Sequence, residues 1–313
     1  MFSIKEINKD AIEDISALLQ RNYNYETVNY FKAHFVWVFS NDKYKIIGAY
    51  EGNQLIALRP AIGWNLSMNR KRLCPYQLTG TIVHEDFRRQ GLFSKTNKYF
   101  IANAHESMGF IFNISVKNSR LGYEKLGWKY LNGFHRLTKV LPTNYFKKSN
   151  DKSESIFKIS DQKLITYLSN RESQFEGLIH TEYNIDFYKW RLTNKKNEYL
   201  IFEIDNIGLV VYKLNVFKEK KELVIGEIFL KNNSYYDFRL LIKALLKKEK
   251  PVLSTVYIFE NHPYYNYYLC LMFIPNYFNY NLNFGVKELK EDISEKIFDN
   301  KLWALSSLDL DTF

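Results

Sequence analysis

Residues 77–108 constrain the fold more tightly than any other stretch of the chain. Gln77–Val83 reads as a strand, with Gln77, Thr79 and Thr81 alternating on one polar face. His84-Glu85-Asp86-Phe87-Arg88-Arg89-Gln90-Gly91 breaks that strand, and a helix opens at Leu92 with Tyr99, Phe100, Ala104 and Met108 on one apolar side. A strand that enters a short Arg/Gln/Gly turn and leaves as a helix gathers unpaired N–H groups and the positive end of the helix dipole at one point. Gly91 lets the backbone approach a phosphate closely, and Arg88 and Arg89 add charge. The ligand this cradle predicts is a pyrophosphate. Neither familiar nucleotide loop fits: no Lys-Ser/Thr follows the glycine, and the three spaced glycines of a dinucleotide fold are missing.

The cradle resembles a motif of the GNAT superfamily of acyl-CoA-dependent acyltransferases: Arg or Gln, two residues, Gly, one residue, then Gly or Ala. Arg88 and Gly91 match, whereas Phe93 stands where Gly or Ala is usual, Arg89 where glycine is common and Glu85 where proline is common. Asn118-Ser119-Arg120-Leu121-Gly122-Tyr123-Glu124-Lys125-Leu126-Gly127-Trp128 is similar to the family's later motif, a helix that starts at Asn/Ser, carries a tyrosine and ends at Gly-Phe or Gly-Trp. Between the two motifs there is room for one helix and one strand, residues 110–116, as that fold requires. The resemblance covers roughly residues 1–140. It implies a mixed α/β (α+β) fold with a splayed sheet flanked by helices, and acyl-CoA as co-substrate without a metal. It further implies that Ile82, Val83, Arg88, Arg89, Gln90, Gly91, Leu92, Phe93, Ser94 and Asn118 hold the CoA. Tyr123 matches the tyrosine that reaches the CoA sulfur and is the expected general acid.

Composition narrows the classes further. With 313 residues the chain has room for one large domain or two ordinary ones. The 44 basic and 34 acidic residues give +10, which suits an anionic ligand. Specific nucleic-acid binding is not expected, because the lysines are scattered and no reading motif accompanies them. Cys74 and Cys270, two cysteines that lie far apart, offer neither a metal cluster nor a disulfide framework. No run approaches the roughly 20 apolar residues of a membrane span, and the N-terminus lacks an apolar signal core. The expectation is a soluble cytoplasmic protein; nothing in the pattern specifies its oligomeric state.

Along the chain, residues 3–33 read as helical through Ile12, Ile15, Leu18 and Leu19. Strands at 44–51 and 54–66 follow, joined by Glu51-Gly52-Asn53, and a strand at 128–140 closes the first half. Residues 1–142 form the expected catalytic domain, 143–160 a polar linker, and 161–313 a second, degenerate GNAT-like domain that adds to the acceptor cleft. That second half reads as a worn copy: Phe187-Tyr188-Lys189-Trp190 with Asn194 echoes Phe35-Val36-Trp37 with Asn41. Strands at 198–205, 208–216 and 222–230, a helix from Ser234 with Asp237 three residues on, a strand at 252–259 and a helix from Pro263 repeat the earlier order. Chance alternation of strands and helices is the competing reading. Lys231-Asn232-Asn233 replaces the Arg-x-x-Gly turn, so only the first half is expected to bind CoA.

Several assignments stay open at this level. His84 is either a general base or an anchor of the turn. Gln77 and Thr79 are candidate acceptor contacts on the polar strand face. The ending Trp303-Ala304-Leu305-Ser306-Ser307-Leu308-Asp309-Leu310-Asp311 resembles the Trp…Asp-x-Asp ending of two-part GNAT-like proteins of surface-polysaccharide gene clusters. In one reading it carries Asp309 and Asp311 to the acceptor cleft; in the other both face water. By that resemblance the acceptor is a nucleotide-linked amino sugar, such as a dTDP-3-amino-3,6-dideoxyhexose, acylated with an acetyl or short hydroxyacyl group such as 3-hydroxybutyryl. A peptide, protein or small-amine acceptor, and a non-catalytic CoA-binding scaffold, are the alternatives.

Overall fold

Leu55-Ile56-Ala57-Leu58 and Ala61-Ile62 make Gln54–Gly63 apolar at nearly every position, the pattern of a strand covered on both faces. It is the spine of the first sheet, and only Gln54 at its start is not buried. The computed structural model describes residues 2–104, 109–144, 160–194, 197–218, 220–276, 283–290, 295–311 and 313. In the first sheet the order is Ser3–Ile7, Tyr44–Glu51, Gln54–Gly63, Tyr76–Leu78, Phe110–Ser115, Asn283–Glu288 and Lys129–Leu131, with Ile82–Val83 also on Gln54–Gly63. The second runs Leu200–Ile204, Gly208–Phe217, Lys220–Leu230, Leu253–Phe259, Phe134–Val140 and Ile274–Pro275. A small third sheet joins His180–Thr181, Leu66–Met68 and Lys71–Leu73.

The two halves trade strands. Phe134–Val140, from the first half, pairs antiparallel with Leu253–Phe259 in the second sheet. Asn283–Glu288, from the second half, pairs antiparallel with both Phe110–Ser115 and Lys129–Leu131 in the first. Gly133, at φ 86°, makes the turn by which the chain leaves one sheet for the other. Hydrogen bonding in the sheets therefore does not divide at residues 143–160, of which 145–159 lie outside the described residues. Phe112, Phe134, Phe259, Phe284 and Trp303 meet ring to ring where the traded strands come together. Large aromatic faces suit this seam, because each buries about 150–250 Å². Trp37 and Trp190 also stack across it, 4.5 Å apart and nearly coplanar.

The N-terminal expectation needs correction. Residues 3–33 are not one helical stretch: Ser3–Ile7 is an edge strand, and helices Ile12–Asn22 and Tyr25–Phe39 follow. Asn8 and Asn24 supply the breaks, accepting the N–H groups of Asp10 and Thr27 as side-chain caps. The second strand ends at Gly63, and Leu66–Met68 belongs to the small sheet. Residues 128–140 form two strands in different sheets, and the helix from Leu92 ends at Ala102; Met108 lies outside the described residues. In the second half, Ser234 does cap Tyr235–Glu249, its Oγ accepting from the Tyr236 and Asp237 N–H groups.

Candidate active site

The predicted strand 77–83 is interrupted. Tyr76–Leu78 and Ile82–Val83 each pair with Gln54–Gly63, and Thr79-Gly80-Thr81 between them form no strand, although the Thr79 N–H still donates to Pro60 O at 3.1 Å. Tyr76–Leu78 is the parallel neighbour of Phe110–Ser115 only at Tyr76–Ile111 and Gln77–Phe112. Beyond those pairs the strands part, and the gap is a cavity of about 490 Å³. One wall is Leu78, Thr79, Gly80, Thr81 and Val83; the other is Asn113, Ile114, Ser115 and Val116. Tyr23, Arg59, Arg88, Phe93, Ser119, Tyr123 and Asp311 complete it.

The turn at the mouth has the geometry of an anion cradle. Arg89 and Gly91 are both left-handed, at φ 64° and 75°, and the helix Leu92–Ala102 starts directly after Gly91. Its first intrahelical bond runs from the Lys95 N–H to Gly91 O, so Leu92, Phe93 and Ser94 direct their N–H groups out of the helix end. Arg88 donates to Asn22 Oδ1 at 3.0 Å and to Val83 O, while Gln90 braces the turn through Asp86 O. Ile82 and Leu92 are buried and anchor the two ends. A pyrophosphate fits this donor set, and Thr79 Oγ1, Asn113 Oδ1 and Arg59 Nε are buried polar atoms beside the cavity that no protein group satisfies. Gly91→Glu places a carboxylate at a left-handed position in the cradle, and a loss of CoA affinity of at least about tenfold is expected by calorimetry. Unchanged affinity would refute the cradle.

Tyr123 lines the cavity and is 4% exposed. Its ring packs edge-on against Phe93 and Trp128, each at 5.0 Å. That contact explains Phe93, the residue that departs from the usual Gly or Ala. Its ring lies against Gly122, where a Cβ would come within 3.0 Å, and it props the tyrosine. Arg59 Nη2 donates to Tyr123 Oη at 2.6 Å.

Other predicted residues fall elsewhere. His84 is buried; Nδ1 accepts the Asp86 N–H at 3.2 Å, Nε2 meets Arg21, and the ring packs on Phe87. It caps the 3-10 turn Glu85–Phe87 and is not part of the cavity lining. Asn118 is exposed in the first turn of Lys117–Glu124, and its neighbour Ser119 lines the cavity instead. Gln77 lies fully buried away from the cavity, its amide 3.5 Å from Asp309 O. Thr79 does line the cavity.

The tail neither frays nor forms a strand, because Trp303, Ala304, Leu305, Leu308 and Leu310 are all buried. Asp309 is spent internally, accepting from Tyr183 Oη and the Ser306 N–H, both at 2.6 Å. Asp311, two residues on, lines the cavity and is an electrostatic neighbour of Arg59. The same tail enters the second sheet where Lys220–Leu230 and Leu253–Phe259 end their parallel pairing at Ile225–Val256. There the Phe259 N–H donates to Leu305 O, the Tyr257 N–H to Ser307 Oγ, and Ser306 Oγ to Glu227. So the opening that is a cavity in the first half is filled by polypeptide in the second.

This architecture recurs in solved structures. A GCN5-related N-acetyltransferase from Kribbella flavida superposes with a TM-score of 0.64 at 13% identity, over 92% of this chain and 71% of that one. A GCN5-related N-acetyltransferase from Anabaena variabilis ATCC 29413 gives 0.64 at 9% identity, over 93% and 73%. The chain has the GNAT fold. A conserved protein of unknown function and probable N-acyltransferase from Enterococcus faecalis V583 shares that fold at 0.58 and 12% identity, over 82% of this chain and 65% of its own. No family model and no curated protein matches the sequence. The sequence motifs name Tyr123 and the 88–94 turn but not Arg59, Asn113 or Ser119, which also line the cavity. Arg59 did leave a signal, a lone charge in an otherwise apolar strand. Among the described residues, no helix is long and apolar enough to cross a membrane, and no three His, Cys, Asp or Glu could together hold a metal ion.

Proposed function

We propose that the protein transfers an acyl group from coenzyme A to a primary amine in the cavity between the parted strands. One observation carries the reading: Tyr123, Arg88 and Phe93 of the 88–94 turn, and Asp311 line one and the same cavity. The pyrophosphate sits on the N–H groups of Leu92, Phe93 and Ser94 beside Arg88, and the pantetheine arm runs between the parted strands. The neutral amine attacks the thioester carbonyl, whose oxygen takes a backbone N–H bond from Gly80 or Thr81. Tyr123 gives its proton to the departing sulfur. Asp311 holds the amine and takes up its released proton. His84, buried as the cap of its turn, has no part in this scheme. The second half we read as a copy that kept the sheet order and gave its opening to the tail.

The acceptor we favour is a nucleotide-linked amino sugar, with an acetyl or short hydroxyacyl donor. The excess of basic residues supports an acceptor that carries phosphate, and the Asp311 carboxylate supports one that offers an amine. Competition between UDP- or dTDP-linked amino sugars, an N-terminal peptide amine and an aminoglycoside, read by product mass, tests this choice. Acylation of the peptide or aminoglycoside alone would overturn it. Asp311→Asn is expected to raise KM for the amine by about tenfold and leave the Kd for CoA within about threefold, since only the acceptor side loses a charged hydrogen bond.

A further inference from the structure

Arg59 is the anomaly of the first sheet. It is a guanidinium at the centre of an apolar strand, 1% exposed, where a charge is tolerated only if its surroundings answer it. The surroundings are specific. Nη1 donates to Thr79 O at 3.0 Å and to Thr81 Oγ1, both in the segment where the strand breaks, and Nη2 donates to Tyr123 Oη at 2.6 Å. Asp311 is an electrostatic neighbour on the cavity side. Arginine donates only, so Tyr123 Oη is an acceptor in this contact and the phenol hydrogen must point away from the guanidinium. Tyr123 and Arg59 both line the cavity.

We infer that Arg59 is the positioning residue of the transfer reaction: it turns the Tyr123 phenol so that its hydrogen faces the substrate sulfur and stabilises the phenolate left when that hydrogen is given. The inference rests on the acyl-transfer reading above. In the step it serves, the C–N bond forms and the C–S bond breaks. The sulfur takes the Tyr123 proton, and the phenolate recovers the proton lost by the amine through Asp311 or water. A cation 2.6 Å from the oxygen, held from the far side by the broken strand, is fixed before charge develops, so it needs no rearrangement during the reaction. The same contacts tie the wall of the cavity to the acid, so an open wedge and a correctly turned phenol occur together.

The test compares Arg59→Met, Arg59→Lys, Tyr123→Phe and the Arg59→Met/Tyr123→Phe double variant in amine-dependent thiol release from acetyl-CoA, with the Kd for acetyl-CoA measured alongside. Arg59→Met is expected to lower kcat by roughly 30- to 100-fold with Kd within about threefold, and Arg59→Lys to recover most of the loss. The double variant should be no more than about threefold slower than Tyr123→Phe, because the two residues act through one proton. Losses that multiply in the double variant, or that appear in Kd alone, overturn the assignment. If Arg59→Met does not fold, an Arg59→Lys protein as slow as Tyr123→Phe does the same. Wild-type protein that releases no thiol with any amine would instead overturn the reading of the site. The phenol contact is then read separately from the 13Cζ resonance of Tyr123, which moves on Arg59→Met if the guanidinium bond exists and stays put if it does not.

Discussion

Arg171→Met is expected to destabilise the protein by about 3–5 kcal/mol, the cost of leaving a buried carboxylate without its partner. Arg171 is fully buried and reaches Glu227 Oε2 at 2.7 Å and Thr181 O at 2.9 Å, with its guanidinium 3.9 Å above the Phe175 ring. Glu227 also accepts the Ile228 N–H and the Ser306 hydroxyl, so one carboxylate joins the second sheet to the tail. Burial pushes the Glu227 carboxyl up, but Arg171 and then His262 outweigh it and hold it at about 2. The folded value lies below the unfolded one, so this group's contribution is complete above the ordinary carboxylate range and is lost as pH falls from about 4.5 toward 2. Urea unfolding at pH 7 reads the loss, and the gap between variant and wild type should narrow as pH falls through the carboxylate range, because burial raises the unpartnered Glu227 carboxyl and protonation removes the buried charge. Replacing both charges, as Arg171→Met/Glu227→Leu, should recover most of the stability, because neither is then buried alone. A single-variant loss under about 1 kcal/mol would show that the pair does not hold the tail. Because Asp311 rides on that tail, the single variant should also weaken acceptor binding before it unfolds.

Tyr123→Phe carries the other large effect. Turnover should fall by about 10²- to 10³-fold, equivalent to roughly 3–4 kcal/mol of barrier, with the Kd for CoA within about threefold. Only one oxygen is removed, and the ring contacts with Phe93 and Trp128 persist. Arg59 loses one acceptor and keeps its bonds to Thr79 and Thr81, so the stability cost should be about 1–2 kcal/mol. Stopped-flow thiol release and calorimetry separate these quantities. Turnover within threefold of wild type would remove the tyrosine from proton transfer.

What the sequence discloses and what it hides follow the range of the forces involved. The 88–94 turn is legible because a left-handed glycine, flanking arginines and a helix start are all local. The N-terminal strand was legible in principle through Asn8 and Asn24, which are cap residues, but the apolar spacing of Ile12–Leu19 masked the breaks. The strand trade is not local at all. Phe134–Val140, with apolar residues three apart, and Asn283–Glu288 carry no local pattern that says which sheet each will join. Arg59 was conspicuous as a charge among apolar neighbours, yet its meaning lies in Tyr123, 64 positions away. Asp309 and Asp311 look equivalent two residues apart, and only the 3-10 turn Ser307–Asp309, capped by Ser306, commits the first to the interior and leaves the second at the cavity. Trp37 and Trp190, the two tryptophans that the repeat reading pairs, stack on each other across the seam.

The most direct test of the central claim is thiol release from acetyl-CoA and 3-hydroxybutyryl-CoA, measured with and without an amine panel led by dTDP- and UDP-linked amino sugars. Release should require an amine and saturate with it, be accompanied by an N-acylated product, and be lost in Tyr123→Phe protein that still binds CoA. Tight CoA binding with no amine-dependent release from either donor would contradict the claim.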